Sequence, residues 1–217
     1  MDNRTSWILG TGIVGVAFVL FFIFVYQPKA REASQTTRVD ELLRPTARFY
    51  EEPLRFAPKF RLMSHTGDSI GSAEMRGRVY VVDFFFTNCT AACPMMSSQM
   101  TRVQKTYGDR KDFGILSFTL DPDKDSIPAL RDYAEKLEAV PGSWYFLRGP
   151  RSQVYPLGEE GFLANLVYNE DGDIDHSEKF ILLDREGGIR GYYLGTDPKE
   201  VDKLINDVRY LLTEDER

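Results

Sequence analysis

The sequence predicts an α/β domain built on a central mixed β-sheet flanked by helices, preceded by one N-terminal transmembrane helix. Three observations carry this reading. Residues 79–86, Val-Tyr-Val-Val-Asp-Phe-Phe-Phe, are β-branched and aromatic on both faces, the pattern of a strand covered on each side. A helix, a strand over 113–120 and a second helix over 126–137 then alternate, an order that gives parallel strands joined by right-handed crossovers. Residues 180–184 and 189–194, separated by Arg185-Glu186-Gly187-Gly188, read as a closing hairpin that adds antiparallel strands.

With 217 residues, 42% hydrophobic and 28% charged, the chain has room for one anchor and one domain. Residues 1–6 form a short tail. Residues 7–26 carry no charge and match the roughly twenty residues that cross a bilayer, with Trp7 and Tyr26 at the two ends as interfacial anchors. The run is longer than a signal-peptide core, and Tyr26-Gln27-Pro28-Lys29 offers no small-residue cleavage site, so the span is expected to be retained. No cysteine follows it, which argues against a lipoprotein anchor. Residues 27–52 are polar, mixed in charge and punctuated by Pro28 and Pro45, a tether to the domain at 53–217.

The domain opens with a hairpin within residues 56–70, Gly67 supplying the turn. Leu130, Tyr133, Ala134 and Leu137 give the second helix one apolar face. Residues 144–147 read as a short strand and 152–164 as helical turns. Asp197 caps a closing helix that has Pro198 at its first position and Glu200 in its first turn; Val201, Leu204, Ile205, Val208, Leu211 and Leu212 form the face that covers the sheet. The formal charge of −6, from 33 acidic and 27 basic residues with no basic block, argues against nucleic acid as a partner.

Chemistry concentrates where the first strand ends. Thr87-Asn88 breaks the apolar run, and Pro94 suits the first turn of a helix whose face holds Met95, Met96, Gln99, Met100, Val103 and Tyr107. Between lie Cys89 and Cys93, the chain's only cysteines. If the helix has begun by Cys89, the spacing stacks both sulfurs one turn apart, and the helix N-terminus is expected to lower the pKa of at least one thiol. The competing reading is a structural disulfide or two small buried hydrophobes. Of the two histidines, His65 lies in a turn-rich stretch and reads as a solvated loop residue. His176 instead precedes the apolar strand at 180–184. Two soft thiolates and one imidazole suit copper, with zinc also open on ligand type alone. Met95, Met96 and Met100 read as core packing rather than extra soft ligands.

These residues resemble the Sco/SenC family of copper-binding proteins that serve cytochrome c oxidase assembly. The family pattern of an apolar strand, Phe-Phe-Thr or similar and Cys-x-x-x-Cys-Pro is matched by Phe85-Phe86-Thr87-Asn88-Cys89 to Pro94. Its Asp-Pro-x-x-Asp is matched by Asp121-Pro122-Asp123-Lys124-Asp125, and its Asp-His-Ser/Thr before a strand and Gly turn by Asp175-His176-Ser177. Each piece alone is weak; three in order behind a membrane span are specific. The resemblance implies a thioredoxin-like fold, one copper per domain as Cu(I) or Cu(II) on Cys89, Cys93 and His176, and transfer to the binuclear copper centre of cytochrome c oxidase subunit II. It also implies an upstream copper donor and a thiol reductant. Asp121 and Asp125 read as a loop and helix cap beside the site, with Asp121 in reach of it.

Two other functions use the same dithiol. A thiol-disulfide oxidoreductase would attack through the more exposed cysteine and resolve through the other. Three residues between the cysteines, where redox proteins of this fold have two, and a histidine where they have proline favour metal. A peroxidase would need supporting Arg, Thr, Gln or Trp residues, and no full set is visible. Topology divides the arguments. Arg4 and the N-terminal amine face Lys29, Arg31 and Arg38 across the span, a count that puts the domain in the cytoplasm. The resemblance implies the opposite, a single-pass anchor in the inner membrane with the domain facing the periplasm or exterior, and a long trailing domain is often translocated despite modest flanking charge.

Overall fold

The computed structural model describes residues 49–89, 92–168 and 174–214. The predicted span at 7–26 and most of the tether lie outside the described residues. Among the described residues no helix is long and apolar enough to cross a membrane.

The chain forms β1 (Arg61–Ser64), β2 (Ser69–Gly71), β3 (Val79–Phe85), α1 (Ala92–Tyr107), β4 (Phe113–Thr119), α2 (Ile127–Lys136) and β5 (Trp144–Arg148). It continues with α3 (Arg151–Pro156), a π turn (Leu157–Gly161), β6 (Val167–Tyr168), β7 (Ile174–His176), β8 (Lys179–Leu183), β9 (Ile189–Leu194) and α4 (Pro198–Glu214). A seven-stranded sheet runs in the order β2-β1-β5-β4-β3-β8-β9. β5, β4 and β3 are parallel, whereas β8 pairs antiparallel with both β3 and β9, and β1 antiparallel with both β2 and β5. The sheet is therefore mixed, as the alternating elements and the closing hairpin require. β6 and β7 make a separate two-stranded ladder.

β3 is central and every one of its residues is buried. Period-two alternation divides it between two cores. Val79, Val81 and Phe85 face α1, α2 and α4, where Met96, Met100, Val103, Leu130, Leu204 and Val208 pack. Tyr80, Val82 and Phe84 face the other side, where Val154, Leu157 and Phe162 from α3 and the turn after it close the layer. Helix ends follow their local chemistry. Ser126 caps α2 by accepting from the Ala129 N–H at 3.3 Å, and the Asp197 carboxylate accepts from the Lys199 N–H at 2.9 Å at the start of α4.

The packed chain begins upstream of the boundary expected at residue 53. Phe49 is buried, and the extended segment behind it runs along the β8–β9 turn, with Tyr50 N donating to Arg190 O at 2.7 Å and Leu54 N to Ile189 O at 3.0 Å. Arg190, 6% exposed, holds this segment in place. Its Nε donates to Tyr50 O at 2.8 Å, its Nη2 to Glu51 O at 2.7 Å and its Nη1 to Asp184 Oδ2 at 3.3 Å, while the guanidinium lies 4.7 Å from the Phe49 ring centre. Removing Arg190 would take the donor from two carbonyls and the cation from a buried carboxylate whose Oδ1 alone keeps partners, the Glu186 and Gly188 N–H groups. Arg190→Ala is expected to lower the unfolding free energy by about 3 kcal/mol. Urea midpoints check this, and a loss under about 1 kcal/mol would show that the pair is replaceable by water.

Candidate metal and dithiol site

The site begins where β3 runs out of partners. Its last residue, Phe85, still receives the Leu120 N–H at 2.8 Å, after which the chain turns outward and Cys89 N donates back to Phe86 O at 3.3 Å. The helix starts later than the spacing argument supposed. α1 begins at Ala92, so Cys93 lies in its first turn and Cys89 precedes it on the turn. Both thiols nevertheless reach one corner, for Cys89 packs against the helix-side cluster that contains Cys93. Both thiols are free. Cys93 is 3% exposed within the helix-side core, and Cys89 is half-buried against the same cluster.

The expected lowering of a thiol pKa by the helix end is reversed at Cys93. Burial, then the hydrogen bond and charge of Cys89 and the nearby Asp83, push it well above the ordinary thiol range. Tyr133 closes one flank, its ring stacked on Phe85 with centroids 5.2 Å apart and its hydroxyl 2.8 Å from Ser97 Oγ; burial raises it to about 12.

Sequence reasoning passed over Asp83. Counting by twos along β3 puts it on the helix face with Val81 and Phe85, wholly buried. Its carboxyl accepts from Ser117 Oγ, which in turn accepts from Trp144 Nε1 at 2.9 Å. Burial pushes it up to about 7, the Ser117 hydroxyl pulling weakly the other way. The signal was present: a single acid inside an otherwise apolar strand whose two faces are both covered.

Asp125 is the second buried acid beside the dithiol, fully enclosed, and it does not cap α2 as expected; Ser126 does. Its carboxylate accepts from Thr87 N at 3.2 and 3.3 Å, from Thr87 Oγ1 and from Thr119 Oγ1. Asp121 turns to cations, pairing with Lys124 at 3.0 Å and Arg151 at 3.6 Å. Met96 and Met100 are core residues, as expected, whereas Met95 is half exposed on the first turn of α1.

The histidines separate as follows. His65 is not a solvated loop residue. It is 8% exposed, its Nδ1 accepts from Phe146 N at 3.2 Å and its ring meets Phe146 edge-on, so it is a packed structural residue; burial lowers its pKa. His176 ends β7, where its backbone pairs with Val167. Its side chain lies outside the described residues. The register Val82↔Ile181 and Tyr80↔Leu183 runs β8 antiparallel to β3, which puts the chain entering β8 at the end of the sheet where β3 delivers the cysteines. There the buried Ser177 donates its hydroxyl to Ala164 O at 2.9 Å. Among the described residues, no third His, Cys, Asp or Glu joins the two thiols in a metal-holding group.

A family model described as SCO1/SenC matches residues 50–213. The chain belongs to this family. The SCO1 protein homolog of Bacillus subtilis is 29% identical over 163 residues, covering 73% of this chain and 84% of that protein. Among solved structures, BsSco, a member of the Sco family of cytochrome c oxidase assembly proteins in which a disulfide switch was identified, is 28% identical with a TM-score of 0.65, over 76% of this chain and 98% of its own. Yeast Sco1 with copper bound shares the fold at 23% identity and a TM-score of 0.57, over 75% of this chain and 98% of its own. The expected thioredoxin-like Sco fold, a mixed sheet flanked by helices, is thus observed.

Asp83 makes stability pH-dependent in a defined direction. Its folded value of about 7 lies above the ordinary carboxyl value of 3.8, so the folded state holds this proton more tightly. The contribution is fully present below about pH 4 and is lost as pH rises through about 7. Asp83→Asn should remove it, so that the stability difference between pH 4.5 and pH 8 shrinks by on the order of a few kcal/mol. Urea unfolding at the two pH values checks this; an unchanged difference would assign the proton to another group.

Proposed function

We propose that this chain is a membrane-anchored copper-binding protein that delivers copper to, or prepares, the binuclear copper centre of cytochrome c oxidase subunit II. The observation that carries the reading is the pair of free thiols brought to one corner at the end of β3, one half-buried and one buried. Membership of the SCO1/SenC family, the oxidase-assembly role named for BsSco and the copper held by yeast Sco1 support it. In this reading Cys89 and Cys93 bind as thiolates and His176 supplies the nitrogen, one copper per domain. Soft sulfur suits Cu(I) at low coordination, and imidazole improves the site for Cu(II).

The exposure difference gives the two thiols different tasks. Cys89 is the sulfur an incoming or departing partner can reach, so ligand exchange starts and finishes there. Cys93, held high in pKa by burial, gives up its proton only to a cation that replaces it, so loading releases protons and tightens as pH rises. The chain works on the outer face of the inner membrane, tethered by residues 7–26, between an upstream copper donor and the oxidase, with a reductant restoring the dithiol.

A second reading rests on the same asymmetry. An accessible Cys89 backed by a buried Cys93 is the arrangement of an attacking and a resolving thiol, and the disulfide switch of BsSco favours it. In that case the chain reduces a partner disulfide: Cys89 forms the mixed disulfide, Cys93 displaces the partner thiol, and Cys89–Cys93 leaves oxidised.

Anaerobic copper titration of the reduced full chain in detergent, with thiols counted before and after, tests both readings. One copper per chain with both thiols masked is expected. Cys89→Ala or Cys93→Ala should abolish tight binding, and His176→Ala should weaken Cu(II) more than Cu(I). Binding of both oxidation states unchanged by His176→Ala removes that residue from the site. No copper uptake by the native chain, with turnover of a disulfide substrate, decides for the oxidoreductase.

A further inference from the structure

We propose that Asp125 is a positioning residue for the Cys89 thiol, acting through Thr87. The inference deepens the reading of Cys89 as the accessible working thiol and rests on it in that respect.

Asp125 has no exposed surface, and among the described residues it makes no ion pair. A buried carboxylate without a cation persists only when hydrogen-bond donors replace its water. Here the donors come from two strand ends. Thr119 Oγ1, at the end of β4, binds Oδ2; Thr87 Oγ1, two residues beyond the end of β3, binds Oδ1, and the Thr87 N–H spans both oxygens at 3.2 and 3.3 Å. The loop that carries the carboxylate is itself closed, with Asp125 N donating to Asp121 O at 2.9 Å and Asp121 N to Thr119 Oγ1 at 3.1 Å.

The consequence falls on the next two residues. Past Phe85 the chain has left the sheet, and Thr87 is the last residue held by a buried group before exposed Asn88 and half-buried Cys89. Besides the Cys89 N–H to Phe86 O contact at 3.3 Å, the clasp on Thr87 fixes where that turn starts. With it, Cys89 is held beside Cys93 before any metal or partner arrives. Without it, binding would first have to order the turn, and affinity would fall for entropic reasons.

The carboxylate thus joins two elements distant in sequence, Thr87 and Thr119, but only the Thr87 arm leads to a cysteine. This asymmetry separates positioning from general stability. In the reduced, metal-free full chain, Thr87→Val and Asp125→Asn should speed alkylation of Cys89 by iodoacetamide about tenfold, the loss of one or two hydrogen bonds that close the turn. Thr119→Val removes a bond from the same carboxylate, and Thr87→Ser keeps the hydroxyl on the cysteine side; both should stay within about twofold of the native rate. The Cu(I) dissociation constant should rise about tenfold in the first pair and not in the second. Cys89 and Cys93 peptides are resolved by mass, and near-ultraviolet circular dichroism confirms that each variant is folded. Native alkylation rates in folded Thr87→Val and Asp125→Asn would overturn the proposal, as would equal acceleration in Thr119→Val. The alkylation needs no copper, so a chain that takes up no metal would sink the copper reading while still deciding the role of Asp125.

Discussion

Everything at the dithiol depends on β3 being paired on both sides and covered on both faces. β4 and β8 hold its backbone from either edge, and two apolar cores hold its side chains. A strand so constrained cannot slip by one residue, because Asp83 would exchange places with Phe84 and a carboxyl would enter the opposite core. The point at which the chain leaves the sheet is therefore fixed, and with it the start of the turn that carries Cys89. β4 lies parallel and ends beside it, so the loop at 121–125 reaches the same corner. That is why an acid 36 residues downstream of Cys89 in the sequence can bind Thr87.

Two electrostatic effects compete at Cys93, and their sizes decide between them. A helix N-terminus favours a nearby anion by roughly 0.3–1 kcal/mol, up to about 2 in partly buried geometries, or about one pKa unit. Burial alone moves a titratable group by up to about 3–5 units. Cys93 lies inside the core, where burial first and then the neighbouring Cys89 and Asp83 push it upward, so burial prevails and the helix end offsets only part of it. A helix isolated in water would lower the thiol, whereas here the first turn of α1 buries Cys93 in the cluster that also holds Val81 and Phe85 of β3.

The parts legible in sequence were those set by local pattern: the strand covered on both faces, the hairpin turn at Gly67, the Asp197 cap, the apolar face of α4. The parts that were not legible depend on which distant residues meet. His65 sits in a polar turn, yet its backbone and ring are taken up by Phe146 on β5, a pairing that no local pattern announces. Asp125 looked like a cap because it precedes a helix by two residues, but the capping role went to Ser126 and left the carboxylate to turn inward to two threonines. Phe49 looked like tether because the residues before it are polar; its burial comes from Arg190 and Tyr210, 141 and 161 positions later in the chain.

The site combines rigidity with one accessible atom, and in the copper-delivery reading proposed above the combination bears on direction of transfer. Cys93 is locked in the first turn of a helix packed on the sheet, with Met96 and Met100 behind it in the core. Cys89 stands on a turn clasped at one end by a buried carboxylate. The segment with His176 enters from a separate two-stranded ladder, its foot tied by Ser177 to Ala164 O. The three proposed ligands thus stand on three separate elements. A ligand on the ladder can move without disturbing the sheet, and one on the turn can exchange partners while Cys93 stays fixed. Such a gradient from fixed to movable donors suits handing over an ion one bond at a time, because each step leaves it held by the deeper sulfur until the receiving side has made its own bond.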